Sequence, residues 1–435
     1  MPITSTFMLP HPPLIIPAVG RGEERKIQKT IDAYHEAARR IAACRSETIV
    51  LISPHQVMYA DYFHISPGKS ADGDFGQFRA PQEKMEVSYD TAFVEKLCAL
   101  ADEKDLSAGT LGEHDRKLDH GTMVPLYFVN QYWTDYQLVK IGLSGLSLTR
   151  HYELGQCIQE TANALNRKVV IIASGDLSHR LKEDGPYGYQ EEGPAYDARI
   201  MDVMGGGNFE ELLEFSEDFC EKAGECGHRS FTIMAGALDK MKVTAEKLSY
   251  EGTFGVGYGI CCYQVCEDAY VQLARKTIET YVRTGEKIKV PNGLPQEMYE
   301  RQAGAFVSIK ENGNLRGCIG TIQAVQASIA EEIINNAISA AVKDPRFYPI
   351  EPDELDKLVI SVDVLGETER IDSLEELDVK RYGVIVTKGY KRGLLLPNLE
   401  GVDTVEEQIA IAKNKAGISA KEEVELERFE VVRHY

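Results

Sequence analysis

Residues 169–173 read Val-Val-Ile-Ile-Ala, an unbroken apolar run that ends in Ser174-Gly175-Asp176-Leu177-Ser178-His179. A strand apolar at every position needs cover on both faces, which is the condition of a parallel strand inside an α/β sheet. The loop beyond the carboxyl end of such a strand is where these domains present reactive groups. Here that loop offers an aspartate and a histidine. The pattern recurs: His11 follows Phe7-Met8-Leu9-Pro10, and His55 follows Pro54 after the run Thr48 to Ser53. His120 sits in Leu118-Asp119-His120-Gly121-Thr122, behind a less clear strand. A single histidine after an apolar run is ordinarily a satisfied core or capping residue. Four in comparable settings point to one pocket, because histidine is both a metal ligand and the usual proton shuttle at neutral pH.

The spacing between these strands is helical. Ile27, Ile31, Tyr34, Ala38 and Ile41 recur on one face over residues 22–43, and charges fill much of the other. Helices are also expected over 91–101, 148–165, 197–204, 209–215 and 230–241. The Gly- and Asp-rich stretch 67–75 reads as a loop or long turn. Strands at 243–250 and 256–265 close the first domain, residues 1–266. This alternation predicts an α/β N-terminal domain, a central sheet flanked by helices. A smaller α+β C-terminal domain is expected over residues 268–435. It begins with a helix at 270–282 and a strand at 305–310, and Asn312-Gly313 is a type I′ hairpin signal. A long helix follows, then strands at 358–365 and 383–387, a helix at 404–416 and one final strand near 424–432.

The formal net charge of −20 argues against wide nucleic-acid contact and against adhesion to an anionic membrane, both of which need basic surface. No apolar run approaches the length of a membrane span, and no basic segment leads into an apolar core at the N-terminus. A cytoplasmic protein acting on a small molecule is therefore expected; homo-oligomerisation is left open. The nine cysteines are odd in number and scattered, which does not suggest a disulfide framework.

Glu251 lies in Tyr250-Glu251-Gly252-Thr253-Phe254-Gly255, where glycines give the backbone room to approach an ion. With His11 and His55 it would supply two imidazoles and one carboxylate, the facial set of non-haem ferrous enzymes. His179 would then act as acid or base beside the metal, with Asp176 orienting it or capping the turn, and His120 would donate to oxygen or substrate. Glu251 could equally be a solvated turn residue.

These motifs resemble the MEMO/LigB superfamily, which includes the class III extradiol ring-cleaving dioxygenases. The resemblance rests on Pro10-His11-Pro12-Pro13, Ser53-Pro54-His55, Asp119-His120-Gly121, Ser174 to His179, and Glu251 ahead of Gly257-Tyr258-Gly259. It implies Fe2+ held by His11, His55 and Glu251, with His179 as catalytic base and His120 near the oxygen site. Some MEMO-type members carry cysteine at a ligand position; here Glu251 is taken to keep the carboxylate. Residues 268–435 resemble the AMMECR family through Leu315-Arg316-Gly317-Cys318-Ile319-Gly320-Thr321, Asp344-Pro345-Arg346-Phe347, Arg392 to Pro397 and Lys415-Ala416-Gly417. The whole arrangement resembles the AmmeMemoRadiSam system protein A family, whose name implies partnership with a radical S-adenosylmethionine (radical SAM) enzyme. An adaptor or accessory role without dioxygenase activity is the alternative this implies.

Substrate contacts are expected at five further residues. Arg316 and Arg346 suit a carboxylate or phosphate, since a guanidinium matches these bidentately, though either could be a structural ion pair. Cys318 shares a strand face with Arg316, as a thiolate nucleophile would wish, or is a small core residue. His228 and Arg229 open a helix, whose N-terminus attracts anions.

Overall fold

The apolar runs become strands of one six-stranded sheet: β1 (Ile3–Leu9), β2 (Thr48–Ser53), β3 (Gln137–Gly142), β4 (Val169–Ser174), β5 (Val243–Glu251) and β6 (Tyr258–Val265). Their order is β3-β2-β4-β1-β6-β5. The first four strands are parallel, and β6 and β5 are added antiparallel. All of this belongs to a computed structural model that describes residues 2–113, 116–165, 167–311, 314–397, 399 and 401–434. The chain divides into two compact units, Met1–Cys266 and Glu267–Tyr435.

Every residue of β2 and β4 is buried, as strands covered on both faces require. Side-chain alternation then splits the core in two. Val50, Ile52, Val139, Ile141, Ile171 and Ala173 face one side, where the helices Leu148–Leu165 and His228–Ala237 supply Leu154, Ile158 and Ile233. Ile49, Leu51, Leu138, Val170 and Ile172 face the other, with Tyr34, Ile41 and Val124. In chain order the helices that matter are α1 (Gln28–Cys44), α2 (His120–Val129), α3 (Leu148–Leu165) and α4 (His228–Ala237). Burying each such side chain contributes about 1.5–3 kcal/mol, so these two layers hold the strand ends in place.

The stretch read as a loop over 67–75 is instead a strand for most of its length. Ser70–Phe75 pairs antiparallel with Ala80–Ser88, burying alternate residues. Gly73 within it packs so closely on α2 that an added Cβ would lie 2.7 Å from Met123 Sδ. A period-2 pattern built on alanine, glycine and one phenylalanine is too weak to be heard in the sequence. Phe209–Glu214 is a 3-10 turn rather than an α-helix.

The second unit is smaller and richer in strand. Its strands are β7 (Ala305–Glu311), β8 (Asn314–Gly320), β9 (Leu358–Leu365), β10 (Glu369–Ile371), β11 (Gly383–Lys388), β12 (Lys391–Leu395), β13 (Glu425–Phe429) and β14 (Val431–His434). They form two four-stranded sheets, ordered β8-β7-β9-β14 and β10-β13-β11-β12. Helices α5 (Ala269–Thr284) and α6 (Ile329–Val342) cover the first through Val271, Ile278, Ile333 and Ala337. Helix α7 (Val405–Lys415) covers the second through Ala412. The single last strand expected near 424–432 is two strands in two different sheets, broken at Glu430. The Asn312-Gly313 turn lies outside the described residues. No helix among the described residues is long and apolar enough to cross a membrane.

Candidate metal centre

The site forms at the carboxyl ends of β1, β2 and β4. His11 stands two residues beyond β1 and is buried. Its backbone N–H donates to Asp176 Oδ1 at 2.7 Å, which ties the loop after β1 to the loop after β4. Its ring Nδ1 lies 2.9 Å from Ser174 Oγ. Ser174 spends its own hydroxyl hydrogen on Gly121 O at 2.6 Å, so it accepts from Nδ1–H. Nε2 of His11 therefore keeps its lone pair, as a ligand nitrogen must.

That lone pair meets two other donors. His55 Nε2 lies 2.9 Å from His11 Nε2, and Cys226 Sγ lies 3.6 Å from the same nitrogen. One donor atom from each of the three residues falls within 4.8 Å of the others. Two imidazole nitrogens and a sulfur this close form a donor set suited to a first-row divalent metal. Two basic nitrogens facing each other at 2.9 Å repel unless a proton or a cation lies between them.

The expected carboxylate ligand is not among them. Glu251 Oε2 accepts from Thr30 N–H at 2.8 Å and from Thr30 Oγ1–H at 2.7 Å, near the start of α1. No Asp or Glu oxygen joins the donor group among the described residues. The structure therefore does not bring Glu251 to His11 and His55; the third ligand-type atom beside them is Cys226 Sγ. This thiol reaches the site because the backbone after β4 and the backbone before α4 touch. A Cβ on Gly175 would lie 2.1 Å from Gly227 Cα. The Asp176 N–H also points at Cys226 Sγ, 3.3 Å away. Cys226 carried no motif of its own; the two glycines that allow the contact are 52 positions apart.

Burial and the other imidazoles push the His11 pKa well below its ordinary value. Burial also lowers His55 and His179, and takes His120 down to about 4. All four rings are neutral at pH 7, with nitrogen lone pairs on offer. The Cys226 thiol is pushed well up by burial, helped by the negative charges of Asp176 and Glu225. A metal bound there would have to displace that proton.

His120 is the first residue of α2, whose N-cap Asp119 accepts from Thr122 N–H. Its ring lies 4.0 Å from that of His55 and 5.5 Å from that of His11, centroid to centroid. His179 is turned by a hydrogen bond from its Nδ1 to Gly224 O, which leaves Nε2 for proton transfer. Asp176 does not orient His179. It binds the His11 backbone, and burial raises its pKa to about 7. A cleft of about 620 Å³ opens beside the cluster, lined by His55, Gln56, Lys117, Asp119, His120 and Lys140.

The other expected contacts are part of the framework. His228 is buried with Nδ1 on Tyr196 Oη (3.2 Å) and Nε2 on Leu212 O (2.9 Å), so its ring is used up in the core. Arg229 donates to Leu146 O at 2.6 Å and pairs with Glu217 at 3.6 Å. Arg316 makes a bidentate pair with Glu354 and also donates to Tyr348 O and Pro349 O. Arg346 is bidentate on Asp344. Arg316 and Arg346 thus each make the structural ion pair that was the alternative to an anion site, and His228 and Arg229 bond within the fold. Cys318 lies on β8 in the second unit and is partly exposed.

Residues 5–261 match the sequence family described as "Catalytic LigB subunit of aromatic ring-opening dioxygenase", and residues 271–434 match AMMECR1. Protein CA_C1420 of Clostridium acetobutylicum is 43% identical over 466 residues, covering 100% of this chain and 99% of its own. A Thermotoga maritima protein is 53% identical over 170 residues, 39% of this chain and 98% of its own. Two solved structures of uncharacterized proteins are also similar. PH0010 from Pyrococcus horikoshii is 35% identical, covers 38% of this chain and 89% of its own, and has a TM-score of 0.36. JW3007 from Escherichia coli K12 is 13% identical, covers 60% of this chain and 99% of its own, and has a TM-score of 0.40. With its histidine-bearing strand ends and both family matches in register with its two units, this chain belongs to the LigB family, carrying an AMMECR1 domain after it.

Proposed function

We propose that the first unit is a metal-dependent catalytic centre for a small chelating substrate, with His11, His55 and Cys226 as ligands and His179 as the proton-moving base. The observation that carries this is the approach of three donor atoms to within 4.8 Å of one another. Fe2+ is the metal the family resemblance favours, and a thiolate ligand also suits it. Such an ion supplies Lewis-acid activation of a bound oxygen ligand. The chain's own part is to hold neutral imidazoles toward the ion, to keep Nε2 of His179 free, and to offer the neighbouring cleft for the rest of the substrate. His120, beside His55, would donate to the substrate or to oxygen.

Ring opening of an aromatic diol is the reaction this reading names first. Metal analysis of anaerobically purified protein should find about one ion per chain. Catechols should then consume oxygen, and His179→Ala should stop turnover while leaving the metal bound. A bound metal with no oxygen uptake on any diol would reject the dioxygenase assignment.

A second reading is favoured by one observation: sulfur stands where the ring-cleaving enzymes use a carboxylate. On that reading the chain is a metal-binding accessory protein that works with a radical SAM enzyme. An anaerobic pull-down that recovers no radical SAM protein, together with full activity in isolation, would reject it.

A further inference from the structure

Asp197 lies on the helix Glu192–Gly206 and is buried, with its carboxylate turned to the loop that carries His179. Oδ1 accepts from the backbone N–H of Ser178, the residue before His179, at 2.8 Å. Oδ2 accepts from Tyr250 Oη–H, on β5, at 2.7 Å. Gly257, of the Gly257-Tyr258-Gly259 motif, leaves the carboxylate its space: a Cβ there would lie 2.0 Å from Asp197 Oδ2. The same glycine donates its N–H to Ser178 O at 2.8 Å and accepts from Leu177 N–H at 2.8 Å. Ser178 is thus held at both backbone groups, and its hydroxyl donates to Ala223 O at 2.8 Å.

Control of His179 is divided between two contacts. Gly224 O takes the Nδ1 hydrogen and sets the ring. Asp197 sets where the backbone beneath that ring stands, one peptide earlier. Asp176, closer in sequence, is bonded to the His11 backbone instead. Burial works against a charge at Asp197 and raises its pKa to about 7, while the hydrogen bonds from Tyr250 and Ser178 act the other way. A hydrogen bond to an ionised carboxylate is about twice as strong as one between neutral groups, so in its charged form Asp197 is a firm anchor for the loop.

We infer that Asp197 is the positioning residue of His179, fixing the loop through Ser178 N–H so that Nε2 of the base keeps one place beside the metal centre. The inference rests on His179 being the proton-moving base proposed above. Asp197 reaches that base only through the backbone. Losing it should slow the proton transfer while leaving metal and substrate binding in place. The scale is large, because misplacing a reacting group by about 1 Å can slow a reaction by about 100-fold.

Full-length protein loaded with Fe2+ would be assayed for oxygen uptake with catechol as the probe, as wild type, Asp197→Ala and Asp197→Asn. Asp197→Ala should lower kcat by about 10- to 100-fold, with KM and metal content unchanged. Asp197→Asn should recover most of that loss, since its amide oxygen still accepts from Ser178 N–H. A second readout needs no turnover. In Zn2+-loaded protein carrying 15N-histidine, the His179 ring signals are identified by their loss in His179→Ala. They should show the single Nδ1–H tautomer in the wild type and in Asp197→Asn, and a mixture of tautomers in Asp197→Ala. His179 signals unchanged in folded Asp197→Ala, or equal losses of kcat in the two variants, would overturn the proposal. No oxygen uptake by the wild type would reject the dioxygenase reading instead, and the ring spectrum would still decide the role of Asp197.

Discussion

Glu251 and Thr30 are joined by two hydrogen bonds to a single carboxylate oxygen, one from the backbone N–H of Thr30 and one from its hydroxyl. Thr30 is the third residue of α1, so Glu251 satisfies one of the amide hydrogens that a helix start leaves without an internal partner. A negative charge there also complements the helix dipole.

Glu251→Ala is therefore expected to cost about 1–3 kcal/mol of stability, the usual penalty for stranding a buried donor. Its metal content should match that of the wild type. Thermal unfolding and metal analysis on the same preparation check both halves. Loss of the metal with unchanged stability would put the carboxylate back in the ligand set.

Cys226→Ala should behave in the opposite way. Removing the sulfur should weaken metal binding by at least about 100-fold, the upper range seen when outer partners of a ligand are lost. The fold should survive, since alanine is smaller than cysteine and adds no clash. Competition against a chromogenic chelator measures the change.

Much of this centre could be read from the sequence, and the limit has a physical cause. His11, His55, His120 and His179 each follow an apolar strand or open a helix, and strand ends converge wherever parallel strands share a sheet. Their gathering was thus implied by the pattern. Glu251 shows where that reasoning stops. It too ends a strand, but β5 is the edge strand, two places from β1, and its carboxylate is claimed by a helix start. Cys226 was invisible for the converse reason. It sits in a loop between short elements, and it is brought in by contact between two glycines, which no periodicity reveals. In the second unit Arg316 and Arg346 carried visible motifs, but the sequence could not say whether a ligand or a neighbouring carboxylate would fill their donors.

Gly175→Ala tests that backbone contact. The added methyl would have to occupy space 2.1 Å from Gly227 Cα, and neither partner is a flexible side chain. We expect a loss of about 1–3 kcal/mol, as for other over-packed sites. Metal binding should weaken as well, because displacing Gly227 displaces its neighbour Cys226. Unfolding curves with and without added Zn2+ separate the two effects: the metal should stabilise the variant less than the wild type.

His151 predicts a pH dependence away from the metal. It is fully buried against Phe63, its Nδ1 is bonded to Ser147 O, and burial lowers its pKa to about 4. Between the unfolded value near 6.5 and that folded value, the unfolded chain binds more protons. Stability is therefore retained above about pH 6.5 and lost as the pH falls toward 4. The loss from this one residue is on the order of 3 kcal/mol. His151→Leu should flatten the fall in melting temperature over that window; an unchanged slope would remove His151 as its source.

The break at Glu430 bears on how the second unit comes apart. One short stretch supplies β13, an inner strand of one sheet, and β14, an edge strand of the other, with Glu430 O also accepting from Gly366 N–H at 2.8 Å. Pulling either strand free strips hydrogen bonds from both sheets at once. The two sheets are in this sense basted by a single thread, and residues 267–434 should melt in one cooperative transition rather than sheet by sheet.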